Sequence, residues 1–251
     1  MKTLIEKILF YISVPKCVCC GERLTIDEHP ICNLCIKEYE SQKHRQCSIC
    51  FQKINNCTCT NDYLNRHSVK KLIKIYRYLP GENLPTNKII YSLKRDNRKD
   101  VIKFLAEELS PSISNAVCNP ENYVFSNVPR RKRSIAKYGV DHSELLAREL
   151  ANIYSAEFYQ PLVSKSKKDQ KKTIGEERIT NAQYNYKKDA KCIAGKNIIL
   201  VDDIVTTGAS MGAVATLFKG LGAKKIIGAT VSIAYKDPYK PFSTDDRFFT
   251  K

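Results

Sequence analysis

The sequence predicts an α/β fold: an open parallel sheet with flanking helices, preceded by a small cysteine-rich module. Three observations carry this. Nine of the eleven cysteines fall between Cys17 and Cys59. Further on, the apolar runs "KNIILVDDI" and "KKIIGATVSIA" bracket a helical stretch, Ala209 to Leu221, and strand–helix–strand alternation is how a parallel sheet covers its two faces. The 251 residues suffice for one substantial core plus a small extra unit. The expected division is 1–62 for the N-terminal helix and cysteine-rich domain and 63–251 for the α/β domain.

The first apolar patch, "LIEKILFYISVP", is interrupted by Glu6 and Lys7 and closed by Pro15. It lacks the small-residue cleavage site of a secretory leader and, like every other apolar tract here, is too short to span a bilayer. It reads as a short amphipathic helix packing on the body, with docking at a membrane surface as the alternative.

The cysteines follow in pairs: Cys17-x-x-Cys20-Gly21, Cys32-x-x-Cys35, Cys47-x-x-Cys50 and Cys57-x-Cys59. A C-x-x-C turn lets two thiolates reach one ion, and two such turns complete a tetrahedral S₄ site, which zinc accepts. Gaps of eleven residues between the first two pairs and six between the last two are hairpin-sized. They favour two zinc ribbons in series: Cys17, Cys20, Cys32 and Cys35 on one ion, Cys47, Cys50, Cys57 and Cys59 on the other. A cross-braced pairing is the alternative. Filled by thiolates, such sites are structural. Cys19 reads as a spare thiol, and His44 and His67 as surface residues. A cysteine head on an otherwise intracellular-looking chain favours metal over disulfides.

Beyond about Tyr63, "LIKIYRYL" reads as a strand. Ile89 to Leu93, then Val101, Phe104, Leu105 and Leu109, fit helical spacing. "YVFSNVP" is a short strand closed by Pro129. His142 to Tyr154 reads as a helix with Asp141 as its N-cap. Ser164 to Lys191 is polar and lysine-rich, and reads as a functional or disordered loop.

The strand "KNIILVDDI" ends in Asp202 and Asp203, and Thr206, Thr207, Gly208, Ala209 and Ser210 lead into the next helix. Ligands of open parallel sheets bind beyond the carboxyl ends of the strands. A helix N-terminus there supplies unpaired N–H groups and partial positive charge for a phosphate, while paired carboxylates suit a vicinal diol. A phosphorylated sugar answers both, with magnesium nearby. An acidic pair alone would equally suit a helix-capping turn; the order of strand, acids, small polar loop and helix favours the ligand site.

This stretch closely resembles the phosphoribosyl pyrophosphate (PRPP) signature of type I phosphoribosyltransferases, and the chain as a whole resembles the ComF family of competence proteins within that superfamily. "PKCVCCG", "YSLKRDNRKD", "VPRRKRSIAKYGVDHSELLARELA", the Gln170…Arg178…Asn181 pattern and the acidic pair occur in the family's order. "YGVDH" stands where that family more often has "RGFNQ".

The resemblance implies a type I phosphoribosyltransferase-like sheet. Asp202 and Asp203 would bind the ribose hydroxyls and residues 206–210 the 5′-phosphate. Lys94 would lie near the pyrophosphate, and Gln170, Arg178 and Asn181 on a loop closing over the substrate. Arg130 to Arg133 would meet phosphates or form a solvated turn. His142 is a general-base candidate by residue type alone.

Forty-two Lys and Arg against 26 Asp and Glu give a net charge of +16, which attracts polyanions. The family likeness implies a cytoplasmic protein, peripheral at the inner face of the membrane, that handles single-stranded DNA beside an uptake helicase or channel component. Two functions remain open at this stage: PRPP and single-stranded DNA binding in natural transformation, or transfer of ribose 5-phosphate from PRPP to a nitrogen acceptor.

Overall fold

The computed structural model describes residues 14–25, 30–47, 49–79, 81–164 and 184–234. Within them the helices are α1 (Asn33–Lys43), α2 (Asp62–Arg66), α3 (Pro85–Asp96), α4 (Lys99–Ala116), α5 (Lys132–Tyr138), α6 (His142–Ile153) and α7 (Ala209–Gly220). The strands are β1 (Val69–Arg77), β2 (Tyr123–Asn127), β3 (Leu162–Ser164), β4 (Tyr184–Tyr186), β5 (Asn197–Val205) and β6 (Lys225–Ile233). The N-terminal amphipathic segment lies almost wholly outside the described residues, as do Gln170, Arg178 and Asn181.

Four strands form a parallel sheet in the order β1-β6-β5-β2. Ile198, Ile199, Leu200 and Val201 of β5 are all fully buried, as a strand covered on both faces requires. Helices α4 and α6 pack on one another, and α6 also packs on β2 and β5. Gly228 lets β1 and α7 close on β6, since a Cβ there would lie 2.8 Å from both Leu72 Cδ1 and Met211 Sδ.

The expected body helices form, with two refinements. The apolar spacing carries α4 to Leu109, yet the helix runs to Ala116 through Pro111. Proline removes the N–H that would reach the Glu107 carbonyl, and the Ser110 hydroxyl donates to that carbonyl instead, at 3.1 Å. The polar stretch 164–191 is not loop throughout. Tyr184–Tyr186 pairs antiparallel with Leu162–Ser164, and residues 165–183 between them lie outside the described residues.

The cysteine-rich segment shares the core of the sheet. Tyr39 of α1 is fully buried, edge-on to Tyr76 at 5.7 Å and tilted against Phe104 at 5.4 Å. Lys43 reaches Glu108 at 2.6 Å. Cys57 to Cys59 lie along the free edge of β1, where the Leu72 N–H donates to the Thr58 carbonyl at 3.0 Å.

Candidate functional site

Strand β5 pairs with β2 as far as Val201, opposite Asn127; Asp202 to Val205 run on beyond β2. The two acids therefore emerge where the sheet opens. Asp203 is buried, and its backbone carbonyl accepts the Thr230 hydroxyl at 3.0 Å. Asp202 keeps part of its surface open to solvent. Its carboxyl is pushed well above the usual carboxylate range, first by burial and then by the charge of Asp203, with Arg130 pulling the other way.

The chain then turns into α7. Thr206, Thr207 and Ser210 are exposed, and Gly208 and Ala209 are buried. Gly208 is the N-cap at φ +81°, and the Ala209 N–H reaches Thr207 Oγ1 at 3.3 Å. The remaining first-turn N–H groups of this twelve-residue helix have no intrahelical acceptor, which makes its N-terminus suited to an anion.

The facing wall comes from the turn after β2. Val128 N–H binds the Val201 carbonyl at 2.9 Å, and two residues later Arg130 forms an ion pair with Asp203. That pair is nearly dry, with side chains 16% and 8% exposed. Asp141 supports the wall from behind. Its Oδ2 accepts the Arg130 N–H at 2.8 Å, and its Oδ1 accepts the Ser143 hydroxyl at 2.6 Å and the Glu144 N–H at 3.3 Å. The expected cap of α6 thus also anchors the arginine turn.

His142, the base candidate by residue type, lies inside the core rather than in the cleft. It is fully buried, and Nε2 is 2.8 Å from Asn97 Oδ1, whose amide in turn donates to the Tyr138 carbonyl at 2.6 Å. Lys94 falls on α3; its side chain lies outside what the structure describes.

Sequence reading missed three contributors. Tyr184 of β4 lies beside Ser210, and its hydroxyl is pushed up to about 12, by burial above all and also by the charge of Asp202, with the Ser210 side chain pulling it down. Asn61 donates to the Thr207 carbonyl at 3.1 Å. Leu64, fully buried, lies against Gly208 so closely that a Cβ there would be 2.6 Å from Leu64 Cγ. The Asn61-Asp62 start of a helix was a legible signal; its contact with residues 146 positions away was not.

The cysteines gather into two groups, Cys17, Cys20, Cys32, Cys35 and Cys47, Cys50, Cys57, Cys59, with the sulfurs of each within 4.8 Å of one another. This is the serial grouping. A zinc–sulfur distance near 2.3 Å gives tetrahedron edges of about 3.8 Å, and Cys20 Sγ and Cys32 Sγ are 3.7 Å apart. The donor set therefore fits zinc. Backbone N–H groups of Cys19 and Cys32 point at Cys17 Sγ at 3.4 and 3.3 Å, and those of Ile49 and Cys59 at Cys47 Sγ and Cys57 Sγ at 3.4 and 3.3 Å. Burial raises the thiols of Cys17 and Cys47, but these and neighbouring hydrogen bonds outweigh it and bring both down to about 7, whereas burial and the adjoining thiols push Cys35 up and Cys59 up to about 12. Cys19 stays outside both groups, a buried thiol 3.7 Å from the Pro85 carbonyl.

A family profile, the phosphoribosyl transferase domain, matches residues 134–250. No curated protein matches the chain. Similar solved structures include a purine phosphoribosyltransferase from Pyrococcus horikoshii Ot3, 14% identical over 58% of this chain and 92% of that one, TM-score 0.34. A hypoxanthine phosphoribosyltransferase from Staphylococcus aureus is 11% identical over 57% and 70%, TM-score 0.37. The hypoxanthine phosphoribosyltransferase of Trypanosoma cruzi is 14% identical over 57% and 71%, TM-score 0.32.

Proposed function

We propose that this phosphoribosyltransferase-type domain binds PRPP, or a closely related ribose 5-phosphate, across the carboxyl end of β5. The observation that carries the reading is the junction itself. Two carboxylates end a buried strand, and the N-terminus of a twelve-residue helix opens directly after them. In this reading Thr206 to Ser210 hold the 5′-phosphate, and Asp202 and Asp203 accept the ribose hydroxyls. Arg130 and the bases after it face the pyrophosphate end, with Mg²⁺ offsetting the ligand's charge. Lys94, Gln170, Arg178 and Asn181 take the roles that the family resemblance gives them.

Isothermal titration of PRPP with Mg²⁺ tests this. Wild type should bind, and Asp202→Asn/Asp203→Asn should not. Undiminished binding by the double variant would remove the assignment.

The eight grouped cysteines would hold two structural zinc ions, since every donor position is a thiolate. For the cellular role, the resemblance to ComF proteins and the +16 charge support single-stranded DNA handling at the cytoplasmic side during natural transformation, beside a helicase or channel component.

The ion-paired Arg130 favours a second reading, in which the domain transfers ribose 5-phosphate. The bond from the anomeric carbon to pyrophosphate would break, with its electron pair leaving on pyrophosphate, a bond to an acceptor nitrogen would form, and the nitrogen's proton would pass to solvent. Arg130 would then stabilise the departing charge. Release of pyrophosphate in the presence of nucleobases separates the two readings.

A further inference from the structure

The stretch from Cys57 to His67 connects two sites that the sequence treats separately. At one end, Cys57 and Cys59 belong to the second thiolate group. Their loop is tied to β1 by the Leu72 N–H to Thr58 carbonyl bond at 3.0 Å and by the Lys74 ammonium, fully buried, 2.7 Å from the Cys59 carbonyl. At the other end, two residues after Cys59, the Asn61 side chain serves two partners. Its Oδ1 accepts the Leu64 N–H at 2.8 Å, capping α2, and its Nδ2 donates to the Thr207 carbonyl at 3.1 Å. Leu64 packs on Gly208. A Cβ on Gly212, one turn further along α7, would lie 2.8 Å from Tyr63 Cε1 and 3.2 Å from His67 Cβ. The first turn of α7 therefore rests on α2 through three successive contacts, and α2 begins at the metal loop.

We infer that Asn61 and Leu64 are positioning residues for the phosphate loop, and that metal in the Cys47, Cys50, Cys57, Cys59 group sets them in place, so that ligand affinity at Thr206–Ser210 depends on the second metal site. This rests on the phosphoribosyl reading for its ligand, though not for its mechanics. A five-residue helix is too short to hold its shape alone. Its N-terminus is fixed by whatever fixes Cys59. A Cys₄ zinc site carries two net negative charges, which the buried Lys74 partly offsets. Without the ion, four close thiols no longer constrain the loop. Asn61 then loses its fixed relation to Thr207, and the first-turn N–H groups of α7 lose their common aim.

The test uses the full-length, zinc-loaded protein with two readouts: hydrogen exchange of the Thr207–Gly212 amides, and PRPP–Mg²⁺ affinity. Asn61→Ala removes both bonds. Asn61→Asp keeps an acceptor for the cap of α2 and removes only the donor to Thr207. Both should retain two zinc ions, exchange faster at 207–212, and bind PRPP about fivefold more weakly, the factor one hydrogen bond supplies. Cys57→Ser, losing one zinc, should exceed both. Cys20→Ser in the first group should leave exchange at 207–212 unchanged.

Wild-type exchange at 207–212 in both Asn61 variants overturns the proposal, even should Cys57→Ser fail to fold. Faster exchange in those variants with no PRPP binding by wild type would support the brace and remove the ligand assignment. PRPP binding indifferent to Asn61 and to the second zinc would do the reverse.

Discussion

At Asp202 a largely buried carboxyl group lies beside a second carboxylate, and Arg130 offsets their charge. Its folded-state pKa is raised, so the native chain holds that proton more tightly than the unfolded one. Stability from this group is intact below the unfolded value near 4 and declines as pH rises toward the native value. Asp202→Asn should therefore raise the melting temperature of the ligand-free protein and flatten its fall with rising pH, while removing the rise expected of PRPP in wild type under the proposed function. Scanning calorimetry from mildly acidic to neutral pH checks both. PRPP affinity should increase with pH over the same window, because the diol needs the ionised carboxylate. Gly208 is constrained twice, by φ +81° and by Leu64. Gly208→Ala should cost about 2–4 kcal/mol, combining left-handed strain with overpacking, read as a lower denaturant midpoint at unchanged slope. The sequence marked Gly208 as a loop residue; the reason for the glycine lies equally on α2.

Among the elements, those with strong periodicity were legible. The strands "KNIILVDDI" and "KKIIGATVSIA" and helix α6 form where the apolar spacing puts them. The elements that escaped are short or polar. Helix α1 buries Tyr39 and Gln42 alone, and the three-residue strands β3 and β4 are too brief to show alternation. Cap residues join elements to function: Asp141 ends one bond network on α6 and begins another on the Arg130 turn. Asp141→Ala should cost about 1–2 kcal/mol from the cap, measured by chemical denaturation, and should also weaken PRPP binding, because the arginine turn loses its anchor. Lys74→Met should leave the fold of β1 intact but lower zinc affinity at the second group, seen as one of two zinc equivalents passing faster to a chromogenic chelator. The hydrophobic stretch "LIKIYRYL" gave no sign that its central lysine would be fully buried.

At the scale of the whole molecule, one hydrophobic cluster among the described residues runs from Cys17 to Ile233. Stripping both metals should therefore lower the melting temperature of the entire chain in one transition rather than melt the cysteine-rich segment alone. Among the described residues, no helix is long and apolar enough to cross a membrane. Part of the positive charge is structural. Lys70 and Lys71 donate to the carbonyls of Asn65 and Ala116 at the ends of α2 and α4, and Lys219 to those of Ala223 and Lys224 just beyond α7. These lysines line a cavity of about 190 Å³ at the start of β1 and β6. Binding of single-stranded oligonucleotide should fall linearly on a log–log plot against salt; a salt-independent affinity would argue against a phosphate-backbone footprint.

The sequence by itself determined the parallel α/β body, the pairing of cysteines into knuckles and the acidic strand end followed by a phosphate-suited loop. Each is a short-range pattern, with its residues within one element or one turn. Tertiary structure alone decided that Arg130 pairs with Asp203, that Tyr184 meets Ser210, that His142 is buried against Asn97 and that Asn61 reaches Thr207. These contacts join residues tens to more than a hundred positions apart. Local spacing carries no information about them, because they exist only once the sheet order has brought separate loops to the same end of the strands.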